Sequence, residues 1–210
     1  MAGIWFRGCK MDFTISAKTE TLRAKVRTFI DEEVLPVEED RKNWDEHENI
    51  ADGPLQILRD RAKALGIWAP QAPIERGGLG LSTVERAVFY EEANRSLFGP
   101  VCLNCAAPDD GNISVLAKIG TPEQQDRWLQ PIIDGEVRSA FAMTEPAPGG
   151  GSDPSMIQTT ATRHSDAYVV TGRKWFITGA EEAKHFILLA RTSDDPVSYT
   201  HLTLPTTPYV

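Results

Sequence analysis

The chain has 210 residues, 41% hydrophobic and 25% charged, which is enough for one large or two small globular domains, each with a core of its own. A formal net charge of -8 argues against general affinity for nucleic acid or anionic membrane, since both reward clustered Lys and Arg. No apolar run reaches bilayer-spanning length, and the three cysteines, Cys9, Cys102 and Cys105, form no disulfide framework and point to a reducing compartment.

Residues 1–11 read as an upstream extension, with Arg7 and Lys10 but no secretory h-region, and with Met11 an equally good start. Helical patterning follows over 12–133. Leu22, Val26, Phe29 and Ile30 share one face of a helix that Pro36 is expected to end. Leu55, Leu58, Ala62 and Leu65 form a second stripe, closed by Gly66. A loop, Ala69-Pro70-Gln71-Ala72-Pro73, leads into Gly77-Gly78-Leu79-Gly80, and Ser82-Thr83-Val84-Glu85 is a capping box for a helix through about Arg95. Cys102-Leu103-Asn104-Cys105 has redox or half-zinc spacing, but no second Cys or His pair completes a metal site, so the thiols read as core of an apolar helix. A helix through Ile113, Leu116 and Ile119 stops at Gly120, and Thr121-Pro122-Glu123-Gln124 caps the next.

Near Pro131 the pattern changes. After the turn at Asp134-Gly135, short runs rich in Val, Ile, Thr and aromatics predict strands near 138–144, 156–163, 167–171, 174–178 and 185–191. Phe186-Ile187-Leu188-Leu189-Ala190 is continuously apolar, as in a strand buried on both faces. The fold class is therefore α+β, an all-helical domain followed by a β-domain over 134–196, without internal repeats. Residues 197–210 hold no Asp, Glu, Lys or Arg; they read either as an edge strand ending in a loop or, the expectation preferred here, as a non-native tail translated from a primer or adapter. The runs Asp31-Glu32-Glu33 and Glu38-Glu39-Asp40 read as solvated helix faces, and His47, His164, His185 and His201 show no ligand or triad spacing.

Phe141-Ala142-Met143-Thr144-Glu145-Pro146, a glycine tract with Ser152-Asp153, and Lys174-Trp175-Phe176-Ile177-Thr178-Gly179 carry the candidate chemistry. Met143 and Thr144 close a strand, where amides and a hydroxyl can point into a cleft. Gly149-Gly150-Gly151 offers backbone for close approach to a phosphate, and Ser152 adds a hydroxyl. Trp175 and Phe176 alternate on a strand, so one of them is expected in the core. Phe176 suits the face of a flavin ring and Thr178 supplies a second hydroxyl.

In this order the motifs resemble the acyl-CoA dehydrogenase family, over roughly residues 12–195. Ala107-Pro108-Asp109-Asp110-Gly111-Asn112, with Phe-Ala-Met-Thr-Glu-Pro, is most similar to the family member 10/11-like subgroup. The resemblance implies an N-terminal helical domain, a middle β-barrel-like domain, truncated here, and a C-terminal helical bundle missing from this chain. It implies FAD as cofactor, with Phe141, Met143, Thr144, Ser152, Phe176, Ile177 and Thr178 as cofactor contacts, Ser152 also meeting the CoA portion of the substrate, and no metal. It further implies α,β-dehydrogenation of acyl-CoA thioesters to trans-2-enoyl-CoA in fatty acid β-oxidation, electron-transferring flavoprotein as acceptor, and a homodimer or homotetramer when full length. The compartment would be cytoplasmic, or mitochondrial in a eukaryote. The base would be a Glu of the missing domain, Glu145 having a structural counterpart, so the chain alone is expected to be inactive. The loop from Ala147 to Gly151 is longer than the usual Gly-Ala-Gly, and Phe176 stands where Trp is more common. An acyl-CoA oxidase, a flavin monooxygenase or a non-catalytic binding relative on the same scaffold are the alternatives.

Overall fold

The fold is given by a computed structural model that describes residues 14–151, 153–193 and 202–206. Helix α1 (Ala17–Phe29) opens on Ser16, whose hydroxyl accepts from the Thr19 amide at 3.1 Å. It does not stop at Pro36. A wide π-turn over Ile30–Val34, in which the Leu35 amide reaches the Ile30 carbonyl, leads directly into α2 (Leu35–Glu39), with Pro36 in its first turn. Proline lacks an amide, and beyond a widened turn the missing donor no longer breaks the ladder. The device recurs at α7 (Pro122–Gln124), the π-turn Gln125–Leu129 and α8 (Gln130–Asp134), which carries Pro131 in its first turn. The expected stop at Pro36 is thus corrected, the helical run extending to Glu39, while α8 ends at the expected turn, Asp134-Gly135.

Helix α3 (Asp52–Ala64) ends as expected at Gly66, which takes a φ of +65°. Both capping boxes form, with Ser82 opening α4 (Thr83–Ala93) and Thr121 opening α7; each such cap contributes about 1 kcal/mol. The short helix α5 (Gly99–Cys102) lies so close to the end of α4 that a Cβ on Gly99 would clash with the Ala93 carbonyl oxygen. Cys102 ends α5 and Cys105 follows it, both thiols free and buried. With α6 (Asp109–Ile119) the helices enclose Phe29, Ile30, Ile67, Phe89, Ile113 and Leu129, all fully buried. Each such side chain is worth about 1.5–3 kcal/mol of burial.

Two small sheets follow. β1 (Arg138–Ala142) pairs in parallel with β4 (Ala183–Leu189), and β5 (Leu202–Thr206) adds antiparallel on the far side of β4. β2 (Thr160–His164) and β3 (Ala167–Thr171) form an antiparallel hairpin within the crossover from β1 to β4. β4 buries Ala183 and Ile187, the latter joining the helical core, while Phe186, Leu188 and Leu189 are half-buried. It is therefore not sealed on both faces as expected, because the helices cover one face of the sheet more fully than the other.

Two strand expectations change further. Residues 156–163 begin as a 3-10 turn, Pro154–Met156, capped by Asp153, and pair only from Thr160. Residues 174–178 join no strand ladder: 172–177 runs irregularly into a turn, because Phe176 sits at φ +49° and interrupts the pleat. Residues 1–11 lie outside the described residues, as does Ser152, and of the tail only 202–206 is described, as the edge strand β5.

Candidate functional site

Beyond β1 the chain turns at Met143 and Thr144, and the segment after Gly172 is bonded onto this turn. Lys174 Nζ donates to the Met143 carbonyl at 2.8 Å and to Glu145 Oε1 at 2.8 Å, and the Trp175 amide donates to the Thr144 carbonyl at 3.1 Å. The Glu145 carboxylate also accepts from the amides of Gln158 at 2.6 Å and Thr159 at 2.9 Å. Burial alone would push this carboxyl up, but the Lys174 ammonium and these donors outweigh it and hold it at about 2. Glu145 is thus an ionised, 4% exposed anchor. The glycine tract wraps around it. A Cβ on Gly149 would meet Glu145 Oε2 at 2.5 Å and one on Gly150 the Asp153 carbonyl at 2.7 Å, whereas Gly151 has open space. Gly149 and Gly150 thus permit close packing of the chain on itself, whereas Gly151 is open.

The turn presents its aromatics outward. Phe176 is 83% exposed and Trp175 41%, their ring centroids 4.7 Å apart, so neither is the core residue that strand alternation predicts. A bulky side chain at φ +49° is strained, at a cost of order 1–3 kcal/mol. Among the described residues, the amides of Thr144 and Thr178 and the Thr178 hydroxyl make no hydrogen bond. The Thr144 hydroxyl only grazes the Gly151 carbonyl, at 3.4 Å. An exposed aromatic face beside uncommitted donors is the chemistry a flavin ring requires: apolar cover for a face and N–H or O–H groups for its polar edge. The residues present fit FAD on that test.

Thr178 and Gly179 also line a cavity of about 520 Å³ between this turn and the helices. Its apolar wall includes Ile50, Leu55, Phe98 and Val101, and its polar rim includes Asp52, Glu182 and Arg138. Arg138 is fixed by buried Asp109, which accepts from Arg138 Nε at 2.6 Å, the Ser139 amide at 2.7 Å and Ser139 Oγ at 2.6 Å. Asn112 Nδ2 donates to Ser139 Oγ at 2.9 Å, and the Tyr90 hydroxyl to Asp110 at 2.7 Å. The Asp109-Asp110-Gly111-Asn112 segment, singled out in the sequence for its wording only, is thus the bolt between α6 and β1.

Of the candidate residues, the fold brings Met143 and Thr144 together with Trp175 and Phe176, and sets Thr178 at the cavity. Phe141 packs against the helical core, and half-buried Ile177 gives its carbonyl to the Ala180 amide. Sequence reasoning assigned no role to Lys174 or Arg138. For Lys174 a signal existed: it and Glu145 are opposite charges in two otherwise apolar or neutral motifs that the site reading already places side by side.

A helical domain bolted to a small mixed sheet, with an exposed aromatic at the junction, defines the class, and the comparisons agree with it. The family model described as acyl-CoA dehydrogenase, N-terminal domain, matches residues 16–136, and that described as acyl-CoA dehydrogenase, middle domain, matches 140–208. The chain belongs to the acyl-CoA dehydrogenase family. Its relatives include FadE2 of Mycobacterium tuberculosis, described as a probable acyl-CoA dehydrogenase, 37% identical over 90% of this chain and 47% of the relative. Acyl-CoA dehydrogenase family member 11 of Homo sapiens is 36% identical over 89% of this chain and 24% of its own length. A solved Mycobacterium abscessus structure, assigned to the acyl-CoA dehydrogenases, superposes with a TM-score of 0.81 at 36% identity, covering 92% of this chain and 51% of the other. The chain therefore spans about half, or less, of the length of the proteins it matches. No helix among the described residues is long and apolar enough to cross a membrane.

Proposed function

We propose that this chain carries the cofactor-facing half of an FAD-dependent acyl-CoA dehydrogenase, which converts acyl-CoA thioesters to trans-2-enoyl-CoA in fatty acid β-oxidation. The observation that carries the reading is Phe176, an 83% exposed aromatic kept at φ +49° beside the uncommitted donors of Thr144 and Thr178. In this reading Phe176 covers one face of the flavin ring. Met143, Thr144 and Ile177 border its edge, Thr178 offers its hydroxyl near the reacting nitrogen, and Phe141 backs the turn from the helical side. Ser152 is assigned to FAD and to the CoA portion of the substrate. FAD, when bound, supplies the hydride acceptor.

The chain's own residues hold and orient. The cavity beside Thr178 receives the acyl group, its apolar wall excluding water from the chain's carbon atoms. Proton abstraction from the α-carbon is not assigned to Glu145: a buried carboxylate at about 2, committed to Lys174 and two amides, is too weak a base and does not open to the cavity. The base is accordingly sought in sequence the relatives possess beyond the part matched here. Electron-transferring flavoprotein as acceptor, a homodimer or homotetramer for the complete protein, a cytoplasmic or mitochondrial location, and a domain division near residue 133 belong to the same proposal.

The test is titration of the purified chain with FAD, followed by flavin fluorescence and the visible spectrum, with Phe176→Ala in parallel. Saturable binding that weakens in the variant supports the reading; absence of binding by the unaltered chain overturns it. Dye-linked oxidation of acyl-CoA by this chain should not exceed a flavin-only blank.

A further inference from the structure

We propose that Lys174 is a positioning residue for this site: through its pairing with Glu145, its ammonium holds the segment bearing Trp175 and Phe176 against the end of β1. The geometric part stands alone; its consequence for cofactor binding rests on the flavin reading above.

Residues 174–178 lack the support a strand would have. Among the described residues, the Trp175 amide bond to Thr144 is their one backbone bond to the 143–145 turn, and the Ile177 carbonyl bonds only forward to Ala180. What remains is the Lys174 side chain. That side chain is 11% exposed and its ammonium touches both the Met143 carbonyl and Glu145 Oε1, while the Glu145 side chain is 2% exposed. The same carboxylate gathers the amides of Gln158 and Thr159 from just before β2. Three separate stretches of chain, 143–145, 158–159 and 174–175, therefore meet at one buried ion pair. A residue at positive φ persists only where its surroundings over-determine it, and next to Phe176 this pair is the rigid neighbour. Lysine suits the position because a compact ammonium with rotatable donors can serve a carbonyl and a carboxylate at once. Removing one partner strands the other charge in the interior, which is far costlier than never having buried it.

Lys174→Met keeps the aliphatic stem and deletes the charge, Lys174→Arg keeps the charge, and Glu145→Gln neutralises the partner. In the 210-residue chain, amide hydrogen exchange at Trp175, Gln158 and Thr159 reads the positioning, with amides of α6 reporting whether the helical part is intact. FAD titration reads the consequence. Lys174→Met should speed Trp175 exchange and weaken FAD binding, each at least about tenfold, with α6 unchanged. Lys174→Arg should recover most of both, which a loss of mere packing would not permit. Unchanged Trp175 exchange in Lys174→Met overturns the proposal. So does faster exchange with FAD affinity kept within about twofold. If Lys174→Met also loosens α6, Glu145→Gln decides on the same criteria. Should the unaltered chain bind no FAD, the flavin reading falls, and the exchange arm alone settles whether Lys174 holds the segment.

Discussion

Replacing Asp109 should uncouple the helices from the sheet. Its carboxylate is 4% exposed and accepts three bonds of 2.6–2.7 Å from Arg138 and Ser139, on the strand that begins the site. The Asp109→Asn side chain would keep one acceptor for Ser139 but face Arg138 Nε without a charge. Hydrogen bonds to a charged group are worth about 1.5–3 kcal/mol each, and loss of one partner of a buried pair costs about 3–5. Arg138 is 27% exposed at its side chain and has Glu182 at 3.6 Å, so water and that second carboxylate recover part of the loss. The expected cost is about 2–3 kcal/mol for Asp109→Asn and about 4 for Asp109→Ala. Urea unfolding at pH 7, followed by far-UV circular dichroism and tryptophan fluorescence, measures it. The two signals should coincide in the parent chain and separate in the variant as the sheet melts first. Ser139→Ala should cost about 1 kcal/mol and be non-additive with Asp109→Asn. A cost below about 0.5 kcal/mol, or full additivity, would refute the account of Asp109 as the bolt.

Three further outcomes follow from the site and the core. Phe176→Gly removes an 83% exposed ring at φ +49°, so it should raise the urea midpoint by the equivalent of about 1 kcal/mol while weakening FAD binding; a lower midpoint would mean the residue is not strained. Glu145 has its carboxyl lowered from 4.5 to about 2 on folding. The folded state therefore takes up the proton less readily than the unfolded one, and about 3 kcal/mol of stability, full above pH 4.5, is lost as pH falls towards 2. The gap in stability between the parent chain and Glu145→Gln, from urea curves between pH 6 and 3, should shrink with acid; a constant gap would remove the linkage. Cys102 and Cys105 are buried, and burial pushes both thiols up, Cys102 to about 12. Peptide mapping should find them alkylated at neutral pH only after unfolding, and rapid labelling of the native chain would contradict the packing.

The features legible in the sequence were those decided within a few residues. Ser82 with Glu85, and Thr121 with Gln124, announce their capping boxes because donor and acceptor are three positions apart. Gly66 marks a helix end because the φ it takes is its own property. Pro36 misled because a π-turn upstream absorbs it, and that widening is set by how the helix packs rather than by the proline. Residues 174–178 looked like a strand by composition, yet no strand among the described residues offers them a ladder; the Lys174 ammonium, with two bonds, and the Trp175 amide, with one, attach them to residues distant in sequence. The motif Asp109-Asp110-Gly111-Asn112 was visible, but its work depends on Ser139, which lies on another element.

Phe176 and the Lys174–Glu145 pair belong together energetically. Phe176 is strained in its backbone, and the buried pair, though favourable once formed, stabilises no better than apolar residues of the same volume would. Neither contributes to the core, which is built from the helices and Ile187 of β4. A fold seeking stability alone would place a glycine or asparagine at the positive φ and apolar residues at the pair. Their coincidence on one turn is explained if the turn is shaped for what it faces. Covering Phe176 with a flat apolar ring would return about 2 kcal/mol of burial, comparable to the strain it carries, and the donors of Thr144 and Thr178 would find acceptors at the same step. The free turn is thus the costly state and the occupied turn the relaxed one, so FAD should protect the Trp175 amide from exchange in the parent chain and do so much less in Lys174→Met.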